Sequence, residues 1–176
     1  RYILMVPDEQ ERVYSTIYML KAEPGYVLEN LIPNKYSFYK RYLNFLMSNS
    51  LLSESLDVWG RMKALKPKKE DYLMYCDFLI NAGELSEALK VWRDFIAAFE
   101  INAPQGASDN IIWNGDFESP VENGGFDWKV GRGEGVRVFK DNDIRMTGYA
   151  SISASFDGTS NPDIYIVRQV ALIEPG

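Results

Sequence analysis

Four carboxylates in the C-terminal half of this 176-residue chain come closest to chemistry by type and spacing: Asp116 and Glu118, two residues apart, with Asp157 and Asp163 further on. An acid and base pair for glycoside hydrolysis must flank the scissile bond from separate elements, about 5 Å apart in retaining enzymes. Asp116 and Glu118, two apart on a strand, would share one face and stand too close together, so catalysis is not expected. The same four side chains could hold a structural Ca²⁺, because hard oxygen ligands near strand ends suit that ion. Capping of turns is the favoured reading of them, and no other cofactor is expected. The chain has no histidine and a single cysteine, Cys76. Zinc sites of the His/Cys type, Ser-His-Asp and Cys-His nucleophile systems and internal disulfides are thereby excluded. Cys76 sits between Tyr72 and Leu79 on an apolar helix face, the setting of a buried, inert thiol. The glycine-rich run Gly131–Gly135 lacks lysine, precedes a strand and opens no helix, so it is not expected to cradle phosphate.

Aromatic side chains are the other candidates. Saccharide sites combine aromatic platforms with nearby amides and carboxylates, which singles out Trp128, Tyr149 and Tyr165. Charge narrows the partner. Residues 1–100 carry 13 basic and 14 acidic side chains, whereas residues 101–176 carry 6 and 11. The net charge of −6 therefore lies almost wholly in the second half, which argues against nucleic acid. No segment is long and apolar enough to span a bilayer. The chain opens at Arg1 in mid-pattern and is expected to be a piece of a longer protein.

The elements that position these residues fall into two kinds. Tyr39, Tyr42, Phe45, Leu46, Leu52, Ser53, Glu54, Leu56, Val58 and Trp59 recur 33 residues later as Tyr72, Tyr75, Phe78, Leu79, Leu85, Ser86, Glu87, Leu89, Val91 and Trp92. A repeat of this period made from two helices marks an α-solenoid, a scaffold that holds partners. Helices are expected over residues 8–22, 35–49, 52–65, 69–82 and 84–99, with a short turn of helix near 26–31. Leu85, Ala88, Leu89, Trp92 and Ile96 would form the inward stripe of the last one, with Trp59 and Trp92 in the repeat core. Gly83 stands where a left-handed residue would close the preceding helix. The pattern Tyr72…Tyr75…Leu79…Gly83…Glu87-Ala88-Leu89…Trp92 resembles tetratricopeptide repeats over about residues 8–100. The first copy departs from it, with Ser50 for the glycine and Ser55 for the alanine. First helices of such repeats often line the concave surface, and the resemblance implies that Tyr39, Tyr42, Tyr72 and Tyr75 face a protein partner there.

Past residue 101 the pattern changes. Residues 101–110 read as a linker, and residues 111–176 as short strands over Ile111–Trp113, Phe126–Val130, Val136–Lys140, Tyr149–Asp157 and Ile164–Ile173. The fold class is therefore α + β in two domains, helical repeats over 1–100 and an antiparallel β-module after the linker. The landmarks Asn114-Gly115-Asp116-Phe117-Glu118, Gly125-Phe126-Asp127-Trp128, Gly148-Tyr149-Ala150-Ser151-Ile152-Ser153 and Val167-Arg168-Gln169-Val170…Glu174-Pro175-Gly176 resemble a carbohydrate-binding-module jelly roll of the galactose-binding type. In that family the tryptophan at the place of Trp128 usually packs beneath the sheet. Jelly rolls have about eight strands, and about half would remain beyond Gly176, so the open edge is expected to make contacts through the 164–173 segment, either in self-association between chains or with the helical repeats.

Repeats followed by such a module resemble bacterial envelope proteins linked with exopolysaccharide or surface-protein export. The resemblance implies a non-catalytic interaction protein in the envelope or periplasm, with a protein partner on the helices and a glycan on the β-module; the cytoplasm is the alternative location. The rival reading is a pure protein–protein adaptor whose β-module only caps the last repeat.

Overall fold

A computed structural model of the chain describes residues 7–101, 112–146 and 148–173. The expected linker at 102–110, Ile111 and the Glu174-Pro175-Gly176 landmark lie outside the described residues. The molecule is mixed α + β: among the described residues six α-helices precede four short strands. Contacts divide it into two compact units, Arg1–Asp71 and Tyr72–Gly176. The division falls inside a helix instead of near residue 101, and it places the second repeat with the strands. Among the described residues no helix is long and apolar enough to cross a membrane.

The first unit holds α1 (Pro7–Met19), α2 (Pro24–Tyr26) running into a π-helical turn (Val27–Leu31), α3 (Tyr36–Ser48) and α4 (Leu52–Lys63). Proline at the first position and a capping carboxylate start α2: Glu23 accepts the Gly25 N–H at 3.0 Å and the Tyr26 N–H at 2.6 Å. Tyr39, Tyr42, Leu43 and Leu46 form the buried stripe of α3 at i, i+3, i+4 and i+7. Tyr14 of α1 lies against it, its ring 5.0 Å from that of Tyr42 and 5.6 Å from that of Phe45. Ser55, the departure from alanine in α4, is fully buried and donates its hydroxyl to the Leu52 carbonyl at 2.7 Å. The polar replacement is thus satisfied within its own helix.

The second unit holds α5 (Lys69–Asn81, from Tyr72 on), α6 (Leu85–Ala98), β1 (Lys129–Val130), β2 (Val136–Asp141), β3 (Ser151–Phe156) and β4 (Val167–Arg168). The buried face of α6 is Ala88, Val91, Trp92 and Phe95, rotated from the expected Leu85–Ile96 stripe. Three rings pack on this face: Tyr72 lies 6.1 Å from Phe95, and Trp92 is met edge-on by Trp113 at 5.5 Å and Phe126 at 6.2 Å. Asp77 of α5 accepts the Gly125 N–H at 2.8 Å and the Lys129 ammonium at 2.8 Å. The β segment is therefore fastened directly onto the second helical hairpin.

The strands form two separate antiparallel ladders. In one, Lys129 pairs with Arg168 and Val130 with Val167. In the other, six pairs run from Val136↔Phe156 to Asp141↔Ser151. The expected strand at 164–173 shrinks to its two ladder residues, and the next side chain, Gln169, donates to the Trp113 carbonyl at 2.7 Å. Trp113 itself lies in a turn, not a strand. On β2–β3 the apolar residues Val136, Val138, Ile152, Ala154 and Phe156 share one face, yet Ala154 is exposed and Phe156 is 56 % exposed.

Both repeat copies close their first helix the same way. The Leu51 N–H donates to Leu46 O at 2.9 Å and the Ser50 N–H to Met47 O at 3.0 Å; one repeat later Glu84 donates to Leu79 O at 2.9 Å and Gly83 to Ile80 O at 3.1 Å. This is a Schellman closure, which needs a left-handed residue; Ser50 takes φ +56° and Gly83 φ +82°. Ser50→Gly should relieve the side-chain strain and raise unfolding stability by about 0.5–1 kcal/mol in chemical denaturation. Gly125 also has φ +58°, and a Cβ there would lie 2.6 Å from two atoms of the Trp92 ring. Gly125→Ala should cost about 2–4 kcal/mol by the same measurement, from backbone strain and overpacking together.

Candidate functional site

Of the four singled-out carboxylates, Asp116 and Asp157 stay in their own turns. Asp116 lies in a turn and accepts the Glu118 N–H at 3.2 Å, so the pair does not share a strand face as expected. Glu118 accepts the Tyr149 N–H through its carboxylate, and its carbonyl receives the Lys140 ammonium at 3.1 Å. Asp157 accepts both the N–H and the hydroxyl of Thr159 at 2.8 Å. Those N–H and O–H donors hold its carboxyl below the ordinary range. Asp163 is exposed. Among the described residues no three acidic, histidine or cysteine side chains converge on a point that could hold a metal ion.

Trp128 is half-buried, its ring 5.1 Å from Phe117 and its indole N–H donating to the Asn114 carbonyl at 2.9 Å. Asn114 is fully buried and ties down Ser119 through both ends of its amide, at 3.2 Å and 3.1 Å. Beside it Asp127, also fully buried, accepts the Glu122 N–H at 2.6 Å and the Trp128 N–H at 2.7 Å. The Asn-Gly-Asp-Phe-Glu and Gly-Phe-Asp-Trp landmarks thus build one polar knot, in which the indole N–H is tied to the backbone.

Tyr149 and Tyr165 are 78 % and 73 % exposed. Tyr165 stands beside a cavity of about 290 Å³ lined by Lys129, Val130, Gly131, Arg132, Ile164, Tyr165 and Arg168. The Arg168 guanidinium carbon lies 6.0 Å from the Tyr165 ring centroid, within cation–π range.

The four repeat tyrosines expected to face a partner are in the core. Tyr39, Tyr42, Tyr72 and Tyr75 are at most 6 % exposed, and burial, with the Glu54 charge, pushes the Tyr42 phenol up to about 12. Their rings fill the space inside helix pairs, where an apolar body is worth more than a presented hydroxyl. The open surface of the first unit lies elsewhere, in a groove of about 740 Å³ between α1 and α3. Gln10, Glu11, Tyr14 and Ser15 line one wall; Arg41, Asn44, Phe45, Ser48 and Asn49 line the other. The Tyr14 hydroxyl is buried at its base with no hydrogen-bond partner among the described residues. Burial raises its pKa to about 12 against the opposing pull of Arg41. A signal for this groove exists in the sequence: Arg41, Asn44 and Ser48 recur at i, i+3 and i+7 on α3, beside the tyrosine stripe.

A second buried carboxylate braces the first unit. Asp71, in the first turn of α5, receives the Lys68 N–H at 2.8 Å, the Lys40 ammonium at 2.7 Å and the Tyr36 hydroxyl. Comparison with protein-family models, with curated proteins and with solved structures returned no match.

The two buried carboxylates titrate with opposite consequences. Burial works to raise the Asp71 carboxyl, but its bonds from Lys40, Tyr36 and Lys68 outweigh that and leave it below its ordinary 3.8. Its stabilisation is present above that value and is lost as pH falls through the lower folded one. Burial raises the Asp127 carboxyl above its ordinary 3.8, only partly countered by the Glu122 and Trp128 N–H donors. Its ionised form costs stability at neutral pH, and that cost disappears as pH falls through the raised value. In urea unfolding between pH 7 and 3, the advantage of the wild type over Asp71→Asn should shrink as pH falls. Its stability relative to Asp127→Asn should instead improve.

Proposed function

We propose that this chain is a non-catalytic interaction protein. Its helical hairpins serve as a tetratricopeptide-like scaffold for a polypeptide, and its strands belong to a galactose-binding-type jelly roll that takes a saccharide, in the setting of the bacterial envelope. The observation that carries the scaffold reading is the α1–α3 groove. Its amide and hydroxyl groups from Gln10, Ser15, Asn44, Ser48 and Asn49 suit the N–H and C=O groups of an extended backbone, and the unpartnered Tyr14 hydroxyl offers a further bond. Against catalysis stand the absence of histidine, a Cys76 thiol pushed up to about 12 by burial and the Asp116 and Asp157 carboxylates spent on their own turns. The exposed Tyr165 ring beside its cavity supports the saccharide reading.

One observation favours the adaptor alternative, in which the β-module is a cap. Trp113 and Phe126 cover Trp92, and Asp77 holds Gly125 and Lys129, as a structural lid on α5–α6 would require.

Selection from a displayed library of unstructured peptides against the full chain tests the groove. Selected peptides should lose about tenfold or more in affinity on Arg41→Ala or Asn44→Ala, two exposed positions whose truncation leaves the thermal unfolding midpoint unchanged. Peptides that bind the double variant as well as the wild type would remove the groove from the function.

A further inference from the structure

The ladder between β1 and β4 contains a like-charge pair that the fold alone does not call for. Lys129 and Arg168 stand directly opposite one another, an arrangement that destabilises antiparallel strands. The Lys129 charge is answered by Asp77 at 2.8 Å. The Arg168 charge is not: among the described residues its only partner is the face of Tyr165. Arg132, one residue beyond Gly131, is exposed and likewise has no carboxylate within ion-pair distance among the described residues. Three of the six basic residues after position 100 thus line one cavity of about 290 Å³, and among the described residues no acidic side chain lines it. In a half with net negative charge, this segregation makes a local positive basin. Beside it rises an aromatic ring that is 73 % exposed.

We propose that this cavity binds an acidic saccharide, the Tyr165 ring lying under the sugar face and Arg132 and Arg168 pairing its carboxylate. The inference rests on the saccharide reading of the β-module and specifies its ligand class. The planar guanidinium fork matches a carboxylate with two parallel hydrogen bonds, which a lysine ammonium cannot do. An aromatic face adds apolar contact with the C–H groups of a pyranose ring. The volume lies near the lower end for small-molecule pockets, so it suits one sugar unit of a chain. Gly131 lets the two strands close beneath the ring: its N–H donates to Ile166 O at 2.9 Å, and a Cβ there would collide with the Tyr165 carbonyl.

Calorimetric titration of the full chain with a hexamer of galacturonate, a neutral hexasaccharide and a polyphosphate of matched charge tests the assignment. The uronate should bind best, and binding should weaken as salt rises from about 50 to 300 mM. Arg132→Ala and Tyr165→Ala should each reduce affinity by about tenfold or more, and Arg132→Glu should abolish it. Arg132 and Tyr165 are exposed, so circular dichroism and thermal unfolding should match the wild type. Equal binding of uronate and neutral sugar, with Tyr165→Ala still weakening both, would overturn the acidic preference while leaving the saccharide reading in place. Silence towards both sugars would overturn the two together, and preference for polyphosphate would reassign the cavity to phosphate-rich ligands.

Discussion

The second unit depends on one indole. Trp92 is held within α5–α6 by its own hairpin, and its outer edge is the surface on which the rest of the unit is laid. Trp113 and Phe126 meet that edge at ring distances of 5.5 Å and 6.2 Å, and the backbone at Gly125 comes so close that no side chain fits there. Aromatic burial of this kind is large but poorly directional. Direction comes from Asp77, which fixes the same turn through Gly125 and the start of β1 through Lys129. Apolar area supplies the attraction, and one half-buried carboxylate supplies the register.

That arrangement explains what sequence reasoning reached and where it stopped. The repeat helices were legible because the 33-residue duplication repeats the apolar stripes and Gly83 marks a closure, whereas the same closure at Ser50 was hidden by its residue type. The strands β2 and β3 were legible, β3 from its alternation, but their pairing was not. The division of the chain was not. Trp59 and Trp92 are the same residue type at equivalent places, and periodicity reports only the packing within a repeat. Nothing in that pattern distinguishes an indole sealed by its own hairpin from one that also carries a turn from far along the chain. The difference shows instead at the neighbouring position, where the first copy has Asn44, exposed, and the second has Asp77.

The candidate site was legible in part. Tyr165 was singled out by its type, but its partnership with Arg132 and Arg168 arises from the β1–β4 register, which joins residues almost forty positions apart. The repeat tyrosines were misplaced for a physical reason: a phenol serves equally as a buried ring and as a presented one, and residue type alone does not choose. The polar stripe of Arg41, Asn44 and Ser48 carried the better signal, since polar side chains at helical spacing seldom enter a core unpaired. Asp116 and Asp157 went to their own turns because a short carboxylate reaches nearby N–H groups at little entropic cost.

Cys76 lies beneath the same turn, its sulfur 3.4 Å from where a Gly125 side chain would begin and its S–H directed to the Ala88 carbonyl at 3.5 Å. Nucleophilic attack by sulfur requires the thiolate and a path to it, and this thiol has neither while the turn is seated. Glutathione and disulfide exchange therefore meet no handle at Cys76 in the folded form, and this thiol stays the same on either side of a redox boundary. Lifting the turn would expose thiol and indole together, making alkylation of Cys76 a direct report of how often the β segment leaves its seat.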